Sequence, residues 1–465
     1  MTGIAVLDVG KTNVKLNLCD ANGAIWETLS TPNPSRPGPP YRHHDVSALE
    51  DWVIEGLRAL AARYGIAAVV ACGHGSGGVL VDAVGPVMPM IDYEQDIPPA
   101  IAARYRAIAD SYAERGSPVM LGAAHLARQM LWLASEFPDA FARARWFLPL
   151  PQYWAWRLCD VAATEVTGLA AQSHLWDARA GRFAPIVAAQ GWTRLMPPVT
   201  PAWARLGALR PEVAARVGAG PVDVLCGVHD SSVNFYRYQA AGLTGLTVVS
   251  TGTWVVALSD EADPARLDER RGMACNADVY GHPLAGALTM AGREFAAIAG
   301  DADDAPVSPA VIARLVAAGT MALPSFGRDD GLFPGSAGRG RIIGPAPADA
   351  VERRALATLT VAMLMATCLE ALGGTGRVVL DGPSARDPIY PALVAALCPG
   401  REVSRNLESY GTATGTSLLA SHATRTVPVP IALEPAAPLI LPGLAEYHTR
   451  WRRQAETHSM TESMA

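Results

Sequence analysis

Two hairpins of one design, one opening each half of the chain, constrain the fold of this sequence more than any other feature. Residues 4–10 read as a buried strand, Lys11-Thr12-Asn13 as its turn, and residues 14–18 as an alternating return strand. Residues 246–249 and 254–258 bracket a second turn, Ser250-Thr251-Gly252-Thr253. A repeated hairpin implies two related lobes. At 465 residues the chain exceeds what one core usually supports, and with 50% of its residues hydrophobic it can fill two. The expected fold class is therefore α/β in two lobes, residues 1–239 and 240–447, followed by a polar tail, 448–465, frayed as chain ends commonly are.

A net charge of −6 argues against a chain that works on nucleic acid or an anionic membrane, since either requires a basic face. Neither is an expected partner; a small molecule is. The seven cysteines, Cys19, Cys72, Cys159, Cys226, Cys275, Cys368 and Cys398, are odd in number and never form a C-x-x-C pair, the pattern of buried free thiols in a reducing compartment. The chain enters a strand without the basic and apolar regions of a signal peptide, and no apolar run reads as long enough to span a bilayer. A cytoplasmic location is expected, and a homodimer is left open.

Between the hairpins, helical and strand patterns alternate. Residues 49–64 carry apolar residues at helical spacing, and residues 66–72 form a buried strand ending in Gly73-His74-Gly75-Ser76-Gly77-Gly78. Residues 31–40 hold too much proline for helix or central strand and read as loop. In the second half a long apolar helix, residues 350–372, leads into a strand at 377–380 and the turn Asp381-Gly382-Pro383-Ser384-Ala385-Arg386-Asp387.

The chemistry concentrates where a strand at residues 222–226 delivers Gly227-Val228-His229-Asp230-Ser231-Ser232, shortly before the second hairpin turn. Phosphoryl transfer needs donors around the phosphate oxygens, a metal to neutralise developing charge, and a base for the acceptor hydroxyl. Tight glycine turns supply backbone N–H donors, the hydroxyls of Thr12, Ser250, Thr251 and Thr253 add more, Lys11 compensates charge, and Asp8 can hold Mg²⁺ through its waters. Asp230 is the candidate base. Gly10-Lys11-Thr12 is not a Walker A loop: the required earlier glycine falls on Ala5, inside the strand, and the residues after Thr12 alternate like a strand instead of opening a helix. Taken alone, each turn reads as an ordinary hairpin.

Taken in order, the residues resemble the FGGY carbohydrate kinases of the actin-like ATPase superfamily. The likeness runs from Asp8-Val9-Gly10-Lys11-Thr12 through Asp230 and Ser250-Thr251-Gly252-Thr253 to Asp381-Gly382-Pro383-Ser384 and residues 411–420. Within the family, His229-Asp230-Ser231 and Ser250 to Trp254 look most like the rhamnulokinase and fuculokinase branch. The resemblance implies two actin-like (ribonuclease H-like) lobes with a cleft between them, ATP and Mg²⁺ as cofactors, and a sugar held by the first lobe. It implies that Gly10, Lys11, Thr12, Asn13, Ser250, Thr251, Gly252 and Thr253 hold the ATP phosphates, and that Gly382, Pro383, Ser384 and Arg386 flank adenosine. Asp230 would be the general base and, with Asp8, a metal ligand. The adenosine turn departs from the family pattern, with Asp381 before a single Gly382.

Sugar-contact candidates are His74 and Ser76 at the end of one strand, Asp92, Tyr93 and Glu94 at the end of the next, Gln152 and Tyr153 at a helix start, and His229. Each has a plainer reading: His74 satisfying loop carbonyls, Asp92 capping a loop, Tyr93 in the core. The implied activity is ATP-dependent phosphorylation of a primary hydroxyl of a ketose such as L-rhamnulose or L-fuculose. The alternative is a catalytically silent or partner-driving actin-like ATPase that senses a sugar.

Overall fold

The computed structural model describes residues 2–120, 122–252, 254–302, 305–327, 331–408 and 411–460. The chain forms two compact units, one of Met1–Leu243, Cys275–Pro283 and Tyr410–Pro430, the other of Thr244–Ala274, Leu284–Ser409 and Ile431–Ala465. This departs from a single cut near residue 240, because the chain returns twice to the first unit. The second return has a steric basis. Helix Gly411–Leu418 lies so close to helix Asp230–Ala240 that a Cβ on Gly415 would fall 2.2 Å from the Val233 carbonyl oxygen, an approach open only to glycine.

The sheet of the first unit runs Arg205–Ala208, Asp223–Leu225, Gly65–Gly73, Thr2–Val9, Asn13–Cys19, Ile25–Pro32. Each neighbouring pair among the last three strands is antiparallel, whereas Gly65–Gly73 and Asp223–Leu225 follow Thr2–Val9 in parallel. Alternation sends Ala5, Leu7 and Val9 into one hydrophobic cluster and Ile4 and Val6 into another, so both faces of the sheet are covered. Thr2–Val9 therefore reads as a nearly continuous apolar run with one carboxylate, Asp8, near its end.

The second unit repeats the order. Pro283–Thr289, Val255–Ser259 and Leu246–Thr251 are antiparallel in sequence across the sheet, and Arg377–Asp381 and Val403–Arg405 continue it in parallel. Three antiparallel strands followed by two parallel ones is thus common to both units, as the repeated hairpins predict.

Two segments differ from expectation. Helix Ala350–Leu372 is opened by Asp349, whose carboxylate accepts the Glu352 N–H at 2.8 Å. By length and apolar composition it passes for a membrane span, contrary to the reading that no run is long enough, but 89% of its most apolar stretch is buried inside the protein. The supposed tail is a helix, Leu444–Met460, with Tyr447, Trp451 and Ala455 buried along one stripe at i, i+4, i+8. The Trp451 Nε1–H donates to the Ala322 carbonyl at 2.7 Å, and its ring meets Phe333 edge-on. Polar composition masked that stripe.

Candidate functional site

In the first unit, parallel pairing aligns Asp8 with Cys72 and His229 with Gly73. The ends of three strands, Thr2–Val9, Gly65–Gly73 and Val228–His229, thereby bring Asp8, His74 and Asp230 to one region. Asp230 is the first residue of helix Asp230–Ala240 and is about one third exposed. Its Oδ1 accepts the Ser231 N–H at 2.5 Å and the Ser231 hydroxyl at 3.1 Å, and lies 3.2 Å from His229 Nε2. Burial lowers the His229 pKa, so at neutral pH the ring is an uncharged hydrogen-bond partner. Burial, and then the neighbouring Asp230 carboxylate, push the pKa of Asp8 up to about 6. Two carboxylates that repel each other in a half-buried setting suit a hard divalent cation with oxygen ligands, so Asp8 and Asp230 fit Mg²⁺.

The first turn is pinned from outside. Asn33 donates its side-chain amide to the Gly10 carbonyl at 2.9 Å and its backbone N–H to the Thr12 carbonyl at 2.8 Å, leaving Thr12 and Asn13 exposed. Lys11, expected beside phosphate, is instead paired with Asp92 at 3.1 Å and Glu94 at 2.5 Å, its ammonium 4.4 Å from the Tyr93 ring centroid. It thus joins the phosphate turn to the expected sugar residues.

Asp92 is almost wholly buried, and its other oxygen faces Arg42 at 3.2 Å. Burial pushes its pKa up, but the Glu94 N–H, Lys11 and Arg42 together outweigh that and hold it below the usual carboxylate value. The His74 ring meets Tyr93 edge-on at 5.3 Å; burial depresses its pKa to about 4 against the opposing pull of Asp230. Ser76 lies beside it, half-buried, its carbonyl accepting from Gln129 at 2.9 Å. Arg42 and His44, missed in the sequence because they follow the proline-rich stretch, arrive on a small sheet of Ser35–Arg36, His43–His44 and Met90–Ile91. Their only sequence signal is the strand-like step after the prolines.

Helix Leu150–Cys159 contradicts one expectation and revises another. Tyr153 is fully buried in the hydrophobic core beside Trp154 and Trp156, and so presents no surface to a sugar. Gln152 is buried too, and its Nε2 donates to the carbonyls of Cys226 and Gly227 at 3.2 and 3.1 Å. It braces the segment that carries Asp230.

In the second unit the turn after Leu246–Thr251 faces the turn after Arg377–Asp381. The Thr251 hydroxyl donates to the Asp381 carbonyl at 2.7 Å and accepts the Ser384 N–H at 3.2 Å. A cavity of about 270 Å³ opens there, with Gly252, Pro383 and Ser384 among its lining. Phe295, Arg354 and Tyr390 line it as well and were not anticipated. Arg354 stands out as a cation on an apolar helix, 5.9 Å over the Phe295 ring and 3.9 Å from Asp387. Ser250 is half-buried at the strand end. Arg386 belongs to the short 3-10 turn Pro383–Arg386 and is absent from the cavity lining. Thr253 lies outside the described residues.

A duplicated five-strand α/β unit, with paired carboxylates in one copy and a turn-lined cavity in the other, is the two-domain actin-like ATPase fold of the sugar kinases. Residues 4–235 match the N-terminal domain of the FGGY family of carbohydrate kinases, and residues 244–428 match the carbohydrate kinase FGGY C-terminal domain. The chain belongs to that family. A carbohydrate kinase from Novosphingobium aromaticivorans is 31% identical, with a TM-score of 0.87 over 98% of both chains. Gluconate kinase from Lactobacillus acidophilus, at 15% identity, shares the fold with a TM-score of 0.82 over 99% of each. L-fuculokinase from Salmonella typhi is 28% identical over 297 residues, 59% of this chain and 60% of that protein. The chain therefore matches about 60% of the length of this curated relative. That likeness agrees with the fuculokinase-like look of the motifs around Asp230 and Ser250.

Proposed function

We propose that the chain is a cytoplasmic ATP-dependent sugar kinase that transfers the γ-phosphoryl group of ATP to a primary hydroxyl of a ketose, with L-fuculose and L-rhamnulose as the leading acceptors. The observation that carries the reading is Asp230: a carboxylate at a helix start, steadied by Ser231 and His229 and close enough to Asp8 to raise its pKa. In this reading Asp230 accepts the proton of the sugar hydroxyl as the oxygen bonds to the γ-phosphorus, the bond from that phosphorus to the bridging oxygen breaks, and ADP leaves. Asp8 and Asp230 would hold Mg²⁺, which when bound would neutralise charge on the phosphate oxygens. His74, Ser76, Asp92, Tyr93, Glu94 and His229 hold the sugar, with Lys11 fixing the Asp92 and Glu94 carboxylates. Thr12, Asn13 and the turn at Ser250, Thr251 and Gly252 meet the phosphates, and the cavity beside Gly382, Pro383 and Ser384 takes adenosine.

A coupled ADP-release assay across ketoses, deoxyketoses and polyols tests this. Wild type should turn over at least one deoxyketose, and Asp230→Asn should lose about 10²–10⁴-fold in kcat while still binding ATP. Near-native turnover in that variant rules out the base; no turnover by wild type on any acceptor rules out the kinase.

A further inference from the structure

We propose that Thr167, oriented by Glu165, is a positioning residue for Asp230, an inference that rests on the reading of Asp230 as the base. The strand Val228–His229 ends where helix Asp230–Ala240 begins, and the backbone between them aims the carboxylate. Its last strand amide, the His229 N–H, donates to the Thr167 hydroxyl at 2.9 Å. Thr167 is reached from 62 residues away in sequence and is fully buried.

The direction of that hydroxyl is not free. Its single proton goes to Glu165 Oε2 at 2.5 Å, which turns an oxygen lone pair toward His229. Glu165 is itself locked: the same Oε2 accepts the N–H groups of Thr167 and Gly168 at 2.9 and 3.2 Å, capping the short helix Val166–Ala170. Burial raises the Glu165 pKa to about 7, yet protonation at Oε1 would leave Oε2 an acceptor, so the relay of hydrogen bonds survives either charge state. Thr167 hydrogen-bonds the amide one residue before the base, whereas the Asp230 carboxylate itself is met by Ser231 and His229. Its influence on chemistry runs through the position of the His229–Asp230 backbone, and a misplacement of the order of 1 Å is enough to slow a reaction about 10²-fold.

The test uses the full-length protein, ATP with Mg²⁺, and L-fuculose, L-rhamnulose and D-xylulose as acceptors. Thr167→Val keeps the shape and removes both hydrogen bonds; Thr167→Ser keeps the hydroxyl. Expected for Thr167→Val is a loss of about 10- to 100-fold in kcat, with KM for ATP and acceptor within about twofold of wild type, and recovery of most of the loss in Thr167→Ser. Asp230→Asn/Thr167→Val should be no slower than Asp230→Asn, since a residue that acts only by aiming the base has nothing left to aim. Amide exchange gives a readout independent of turnover: peptides spanning residues 226–232 should exchange faster in Thr167→Val than in wild type or Thr167→Ser. Wild-type kcat in Thr167→Val, unchanged exchange across 226–232, or an additive further loss in the double variant each overturns the proposal. Retained turnover in Asp230→Asn alone overturns the base assignment instead.

Discussion

Gly382 shows how a single residue can be essential for a reason other than the one its position suggests. In the sequence it reads as a glycine that lets nucleotide approach. In the structure its φ is +94°, and a Cβ would fall 2.3 Å from the Thr251 carbonyl oxygen, with the Thr251 hydroxyl at 2.8 Å. The obstacle is backbone, in the same strand-to-turn junction that Thr251 ties together. Gly382→Ala should therefore lower stability by roughly 1–3 kcal/mol, the range for a strained backbone conformation, whether or not nucleotide is present. Urea unfolding with and without ATP checks this. A variant of wild-type stability that is deficient only in KM for ATP would return Gly382 to the role of a nucleotide contact. Lys11 makes a related point: its charge was visible, but its commitment to Asp92 and Glu94 depends on a strand about eighty residues further along the chain.

At the scale of elements, helix Leu444–Met460 is the clearest lesson. Its exposed positions carry the polar residues that make the segment look like a tail, while Tyr447, Trp451 and Ala455 anchor it. Trp451→Ala removes a fully buried ring and leaves the Ala322 carbonyl without its donor. The expected loss is about 3–5 kcal/mol, read as an earlier unfolding transition by circular dichroism in urea; an unshifted midpoint would mean the helix is dispensable. Helix Ala350–Leu372 errs the other way. Its apolar surface is spent on neighbours inside the second unit, and a hydropathy scale cannot distinguish burial in protein from burial in lipid.

For the molecule as a whole, several buried histidines couple stability to pH. His125 and His174 stack at 3.7 Å. Tyr105 and Ser117 hydroxyls flank His174 at 2.6 and 2.8 Å, while His125 accepts the Met120 N–H and sits against the Gln172 carbonyl, each at 2.7 Å. Arg128 and Arg115 add positive charge nearby. Burial first, then those charges, lower the pKa of His125 to about 3; burial and then His125 drive that of His174 well below normal. Because the folded state binds these protons less readily than the unfolded one, their contribution is complete above pH 6.5 and falls away as pH drops from there toward about 3. Glu165, raised by burial to about 7, acts oppositely, losing its contribution as pH rises through that value. His125→Gln isolates the histidine effect. Between pH 6 and 5 its stability should fall less steeply than that of wild type, by up to about 1.4 kcal/mol per pH unit for one proton. Parallel slopes of urea-derived stability against pH would refute it.

The sequence by itself determined the duplicated α/β plan, since alternation and apolar runs are local properties that dictate which strands are buried and where turns fall. It also determined the order of the chemistry-bearing turns, from Asp8 through Asp230 to Gly382, and with it the family. Tertiary structure alone decided what those residues touch. That Tyr153 belongs to the core while Gln152 braces the Asp230 segment follows from what each side of one helix packs against. That Arg42, His44 and Arg354 join the sites, and that Thr167 stands behind the base, follows from contacts between segments far apart in the chain. Such contacts leave no periodic or compositional trace in the segments that make them, because the energy that selects them arises only when both are folded against each other.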